Sequence, residues 1–176
     1  MTVANLSSSR MLDDVAAMHD SRVIRTPVGE ANVIQAMLSS GAIIGGEGNG
    51  GVIDSRIVPG RDSLVGMAYV LQLLADSGKS LSGIVSEIPR YEIVKTKFEC
   101  RREDAERAVE ALKVAFANEK LDTQDGLRID WPTSWVHARP SNTEPIMRII
   151  AEAPTRVEAD DKIAQVRAVV DRALHG

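Results

Sequence analysis

Within the seven residues Arg139-Pro-Ser-Asn-Thr-Glu-Pro145 the chain gathers one guanidinium, two hydroxyls and an amide between two prolines. Those groups suit a phosphate. The fork of Arg139 can grip two oxygens of one anion, and Ser141, Asn142 and Thr143 can donate from side chain and main chain. Pro140 and Pro145 limit the freedom of the backbone between them. An ordinary polar hairpin connection would share much of this composition. A second segment, Gly45-Gly-Glu-Gly-Asn-Gly-Gly51, is harder to explain as connection alone: its five glycines let the main chain approach a ligand and leave Glu47 and Asn49 as the only side chains with chemistry. A carboxylate in that setting accepts from two neighbouring sugar hydroxyls, and an amide both donates and accepts. A dinucleotide reading fails, because the glycine order is not G-x-G-x-x-G, no helix follows at once and Glu47 would face a pyrophosphate. The bland alternative is a flexible connection.

Other reactive groups are sparse. His19, His137 and His175 are scattered without metal-ligand spacing. Cys100 is the only cysteine, so no internal disulfide or cysteine-rich metal site forms; this fits a reducing cytoplasm and a small core residue on a strand. The 176 residues are 44% hydrophobic and carry a formal net charge of −4, with a pI near 5.4. No run of lysine and arginine occurs, which argues against a nucleic-acid surface and requires any anion to be captured locally. The longest apolar stretch, Leu64 to Ala75, is broken by Gly66 and Gln72 and is too short for a bilayer; the amino terminus has no signal-peptide pattern.

The two segments need a frame. Val3 to Leu6 reads as a strand, Ser7 to Ser9 as the cap of a helix over residues 10–18, Val23 to Thr26 as a second strand, and Glu30 to Ser39 as a helix with Val33, Ile34, Met37 and Leu38 on one face. Ala42 to Ile44 reads as a third strand running into the glycine segment. Strands alternating with helices predict a parallel α/β sheet, which binds ligands at the carboxyl ends of its strands. The glycine segment and the turn from Thr26 to Glu30 both fall at that end. Asp62 caps an expected helix from Ser63 to Asp76 that is apolar nearly all round, hence buried. At Pro89 the texture changes: Val94, Phe98 and Cys100 alternate with Lys95, Lys97 and Glu99. The reading is therefore an incomplete parallel α/β domain over 1–88 and, over 89–176, a β-α-β-β-β-α domain with a mainly antiparallel sheet and two helices. Strands Ser134 to Ala138 and Ile146 to Glu152 hold the phosphate segment between them.

GGEGNGG at 45–51, preceded by RTPVGEANVI at 25–34 and followed by RPSNTEP at 139–145, resembles the carboxy-terminal part of the α-D-phosphohexomutases, the family of phosphomannomutase, phosphoglucomutase and phosphoglucosamine mutase. The resemblance spans essentially the whole chain. It implies a third domain that reads sugar hydroxyls and a fourth that binds the substrate phosphate. Glu47 and Asn49 match the hydroxyl-reading positions, Asn49 standing where many members have serine. Gly29 and Glu30 match a further ligand-facing turn, and Arg139, Ser141, Asn142 and Thr143 match the phosphate loop. The family resemblance further implies a phosphoserine in a first domain, a magnesium ion in a second, and a hexose 1,6-bisphosphate intermediate. Neither a TASHNP serine loop nor a DGDGDR metal loop occurs here, and the third domain's first strand is expected to lie before residue 1. The expectation is thus a fragment of a cytoplasmic mutase interconverting hexose 6- and 1-phosphates, with no cofactor bound by the fragment itself. Its partners would be a hexose phosphate, the missing domains and, through an unpaired sheet edge, possible further copies. A non-catalytic sugar-phosphate-binding module is the alternative, since it would need the same two segments.

Overall fold

The computed structural model describes residues 1–141 and 143–175. The chain divides into two compact units, Met1–Arg90 and Tyr91–Gly176.

The first unit runs β1 (Thr2–Asn5), α1 (Met11–Met18), β2 (Val23–Thr26), α2 (Glu30–Ser40), β3 (Ile44–Glu47), β4 (Gly51–Asp54), α3 (Ser63–Ser77) and α4 (Leu81–Val85). Its sheet has the order β2-β1-β3-β4, with β1 parallel to β2 and β3 and only β4 antiparallel. The third strand therefore starts later than expected and takes in Gly45, Gly46 and Glu47. The glycine segment is largely a β-hairpin, with Gly48 to Gly50 as its turn. The central strand β1 packs Val3 with Val33 and Met37 of α2, Ala42 and Ile53; Leu38 of the expected apolar face is exposed instead.

Helix α3 departs from its expected burial. Asp62 caps it, accepting from Leu64 N at 2.8 Å and Val65 N at 3.2 Å, yet Val65 is its only buried residue and Leu64 and Leu71 are 72% and 66% exposed. The helix packs on β4, the edge strand, where Gly66 closes onto Val52. That side of the sheet is only partly covered. Val52 also lines an apolar groove of about 410 Å³ between α1 and the strands. A buried carboxylate anchors the helix: Asp54 accepts from Arg56 Nη2 at 2.7 Å and from the Tyr69 hydroxyl, and the Arg56 guanidinium with that hydroxyl holds its carboxyl far below the usual range.

The second unit runs β5 (Glu92–Glu99), α5 (Arg102–Ala115), β6 (Lys120–Asp122), β7 (Leu127–Asp130), β8 (Trp135–Pro140), β9 (Ile146–Ala153) and α6 (Arg156–His175). All pairings in the sheet β5-β9-β8-β7-β6 are antiparallel. Strand β6 is additional to the expected order. Strict alternation splits this sheet: Leu127, Ile129, Val136, Ala138, Met147 and Ile149 enter one core with Ala108 and Leu112 of α5 and Val166 and Val170 of α6. The intervening residues, Arg128, His137, Arg139 and Arg148 among them, go to the other face. Phe116 meets Trp131 edge-on at 5.8 Å, and Lys162 lies over the same indole.

Cys100 follows β5 directly and is buried, with its thiol pushed up by desolvation. Alkylation of the folded chain by iodoacetamide at pH 8 is accordingly expected to lag that of the urea-unfolded chain by at least about tenfold. Equal rates would place Cys100 at the surface.

Candidate functional site

In the first unit the site grows from the carboxyl ends of the three parallel strands. Asn5 ends β1, Thr26 ends β2 and Glu47 ends β3. The Oε1 atom of Glu47 accepts from Asn5 Nδ2 at 2.8 Å and from the backbone N–H of Gly29 at 3.1 Å. The structure thus brings Glu47 and Gly29 together, and Gly29 acts as a donor to the carboxylate. Among the described residues Oε2 has no hydrogen-bond partner, so one carboxylate oxygen is fixed and the other is available to a hydroxyl. Asn5 is itself held: its Oδ1 accepts from Ser7 N at 3.0 Å and Ser8 Oγ at 2.9 Å, and Arg25 donates to its carbonyl at 3.1 Å.

Asn49 lies in the hairpin turn, where its Oδ1 accepts from Gly51 N at 3.3 Å. A Cβ on Gly51 would fall 2.2 Å from Arg61 Cδ, so a side chain there would force Arg61 to move. Arg61 therefore lies across the hairpin. Its backbone N–H and its Nε donate to the two oxygens of Glu30, each at 2.8 Å, and those bonds, the amide's first, hold the Glu30 carboxyl below the usual range. Glu30 thus positions Arg61 and offers both its oxygens to that residue.

In the second unit the segment 141–145 joins β8 to β9. Ser141 N donates to Ile146 O at 2.9 Å and closes the hairpin; Cys100 N donates to Pro145 O at 2.8 Å and ties the segment to the end of β5. Thr143 N donates to Ser141 Oγ at 3.4 Å. Ser141 and Thr143 line a cavity of about 410 Å³ together with Arg102, the first residue of α5. A larger cavity of about 660 Å³ adjoins it through Cys100, Glu144, Pro145 and Ile146, but neither Ser141 nor Thr143 borders it. Asn142 lies outside the described residues.

Arg139 does not border the cavity lined by Ser141 and Thr143. Because Ala138 belongs to the core, its neighbour projects from the opposite face, where Arg139 Nε comes within 3.2 Å of Asp125 Oδ2. Arg148, directly across the ladder, has its own partner in Glu144 at 2.9 Å. The mouth of the β8–β9 hairpin thus carries two facing guanidinium groups, each with one carboxylate, an arrangement able to receive a dianion.

Asn5, Arg61 and Asp125 were not among the residues singled out in the sequence. Asn5 had a usable signal, a polar residue at the carboxyl end of a strand. Arg61 and Asp125 had none, being partners only in space.

Residues 1–91 match the family model for the phosphoglucomutase/phosphomannomutase alpha/beta/alpha domain III, and residues 96–169 match the model for the C-terminal domain of the same family. The chain is 37% identical over 180 residues to a phosphoglucomutase/phosphomannomutase of Thermococcus kodakarensis, a match covering 100% of this chain and 39% of that protein. It is 34% identical over 166 residues to a probable phosphoglucosamine mutase of Methanopyrus kandleri, covering 93% and 36%. The chain therefore spans under two-fifths of the length of these curated relatives. Among solved structures, a phosphoglucomutase/phosphomannomutase family protein of Burkholderia thailandensis superposes with a TM-score of 0.81 at 21% identity, covering 99% of this chain and 38% of that one. An Aspergillus fumigatus N-acetylphosphoglucosamine mutase, solved with GlcNAc-6P and magnesium, gives 0.68 at 16% identity over 98% and 39%. At these identities the structures share the fold.

Proposed function

Since the chain belongs to the phosphoglucomutase/phosphomannomutase family, we propose that its two units hold the substrate of a phosphohexomutase, the first unit reading sugar hydroxyls and the second binding the phosphate. The observation that carries this reading is the half-committed carboxylate of Glu47, with Oε1 fixed by Asn5 and Gly29. In the proposal Oε2 of Glu47 accepts from a sugar hydroxyl, Asn49 and Gly29 complete that wall, and Glu30 acts by holding Arg61 in place. Arg139, Ser141, Asn142 and Thr143 take the phosphate. The reaction is the interconversion of a hexose 6-phosphate and the 1-phosphate, glucosamine, mannose and glucose being the candidate sugars. Either end of a hexose 1,6-bisphosphate must then fit the same phosphate loop, so that loop recognises a dianion without regard to the carbon that bears it.

The phosphoserine that donates the group and the magnesium ion that neutralises charge are assigned to parts of the mutase other than these 176 residues. Among the described residues no group of three or more His, Cys, Asp or Glu side chains is placed to hold a metal ion. What these residues supply is binding and orientation, which in-line phosphoryl transfer depends on heavily.

Replacing Glu47 with glutamine tests the hydroxyl wall. Glutamine can keep an acceptor toward Asn5 and Gly29 while placing an NH2 where Oε2 stood. Glucose 6-phosphate binding is expected to weaken by about 1 kcal/mol, roughly fivefold, with inorganic phosphate binding unchanged. Equal losses for the two ligands in an NMR titration would make the hairpin structural.

A further inference from the structure

Resting on the reading of Arg139 as a phosphate contact, we propose that Asp125 is a positioning residue: it holds the Arg139 guanidinium between ligands and competes with the bound phosphate for it. The geometry of the turn before β7 supports this. Asp125 Oδ2 lies 3.2 Å from Arg139 Nε, with the two side chains only 17% and 13% exposed. The alignment is poor enough that Nε makes no hydrogen bond among the described residues. The pair therefore has charge contact without a hydrogen bond at the buried Nε, and a ligand would be met by the terminal nitrogens of the fork.

Asp125 is itself held from two sides. Gly126 has φ +68°, and a Cβ there would stand 2.4 Å from Ala138 O and 2.8 Å from Arg139 Cα, so the turn sits directly against the strand that carries Arg139. The buried ring of His137 donates from Nε2 to the Asp125 carbonyl at 2.6 Å. Desolvation lowers the pKa of this histidine, which keeps the ring neutral. Nor does Arg148 require Asp125, having Glu144. The turn thus places the carboxylate of Asp125 beside Arg139.

A dianion within hydrogen-bonding reach of Arg139 stands a few ångströms from that carboxylate, in surroundings less polar than water, and the two repel. The consequence suits a reaction in which one loop must bind a phosphate, let it go and bind the other end of the same molecule. Asp125 weakens the grip and retakes the guanidinium when the phosphate leaves.

The test is NMR titration of the 176-residue chain with inorganic phosphate and with glucose 6-phosphate, comparing the parent with Asp125→Asn and Arg139→Ala. Asparagine keeps the shape and an acceptor oxygen but removes the charge, so both ligands should bind about five- to tenfold more tightly. A residue with a merely structural role would give unchanged or weaker binding. If Arg139→Ala weakens binding while Asp125→Asn does not tighten it, this inference falls and the phosphate reading stands. Should Arg139→Ala leave binding unchanged, both fall. Asp125→Ser serves if the asparagine variant does not fold, with the same tightening expected and its absence equally decisive.

Discussion

Arg139→Ala is expected to weaken glucose 6-phosphate binding by about 1.5 to 3 kcal/mol, roughly ten- to a hundredfold, the range for hydrogen bonds to charged groups. The position explains why the loss should be that large. Arg139 occupies the penultimate residue of β8, fixed in register opposite Arg148, and its side chain is only 13% exposed. Little conformational freedom remains to be lost when a phosphate arrives. Its fork can present two parallel N–H groups to one phosphate, which a lysine ammonium cannot, so Arg139→Lys should recover only part of the affinity. Ser141 and Thr143 lie in the connecting segment and contribute neutral donors, expected to count for less. An NMR titration of the alanine variant, with its melting temperature within a few degrees of the parent's, is the measurement. Unchanged affinity would remove Arg139 from the site.

The parts of this architecture that were legible are those where side-chain pattern and backbone pairing agree. Leu127 to Asp130 reads as a strand because Leu127 and Ile129 alternate with Arg128 and Asp130, and it is one. The stripe Ile163, Val166, Val170 and Leu174 reads as a helix face and packs on the core. The hairpin of β3 and β4 was hidden because glycine has no strand preference to display; those residues are extended because β1 and β4 offer hydrogen bonds on both sides. Strand β6 was hidden by its length, three residues with a single apolar side chain. The burial expected of α3 failed for a different reason. An all-round apolar helix states that it needs neighbours, whereas burial depends on which neighbours are there, and within this unit α3 has mainly β4. The site divides in the same way. Glu47 was legible as the one charged side chain in a glycine-rich segment. The groups placed beside Glu47 and Arg139 were not, because Asn5 is 42 residues from Glu47 and Asp125 lies in the turn before β7 while Arg139 lies on β8, and no local pattern records such pairs.

The 176-residue chain by itself is expected to bind a hexose phosphate and to convert none of it. Each unit has its own core, so folding and binding are properties the chain can have alone. Transfer asks for more. In-line displacement requires a phosphoryl donor aligned with the accepting hydroxyl and neutralisation of the charge that spreads over the transferring oxygens, and in the proposed assignment these residues do neither: Glu47 and Asn49 would hold hydroxyls, and Arg139 and its neighbours the phosphate that is not moving. A ligand held from one side also stays in contact with water, where each charged contact is weaker than in a closed cleft. Affinity near millimolar, about 4 kcal/mol, is the expectation. The measurement is a coupled assay for hexose 1-phosphate to 6-phosphate conversion with purified chain, magnesium and a hexose 1,6-bisphosphate activator, run beside the NMR titration on the same preparation. Binding without turnover supports the assignment of these units as the substrate-holding side. Turnover clearly above a no-protein control, lost on Arg139→Ala, would mean that these residues carry the transfer as well, and the division of labour proposed here would have to be abandoned.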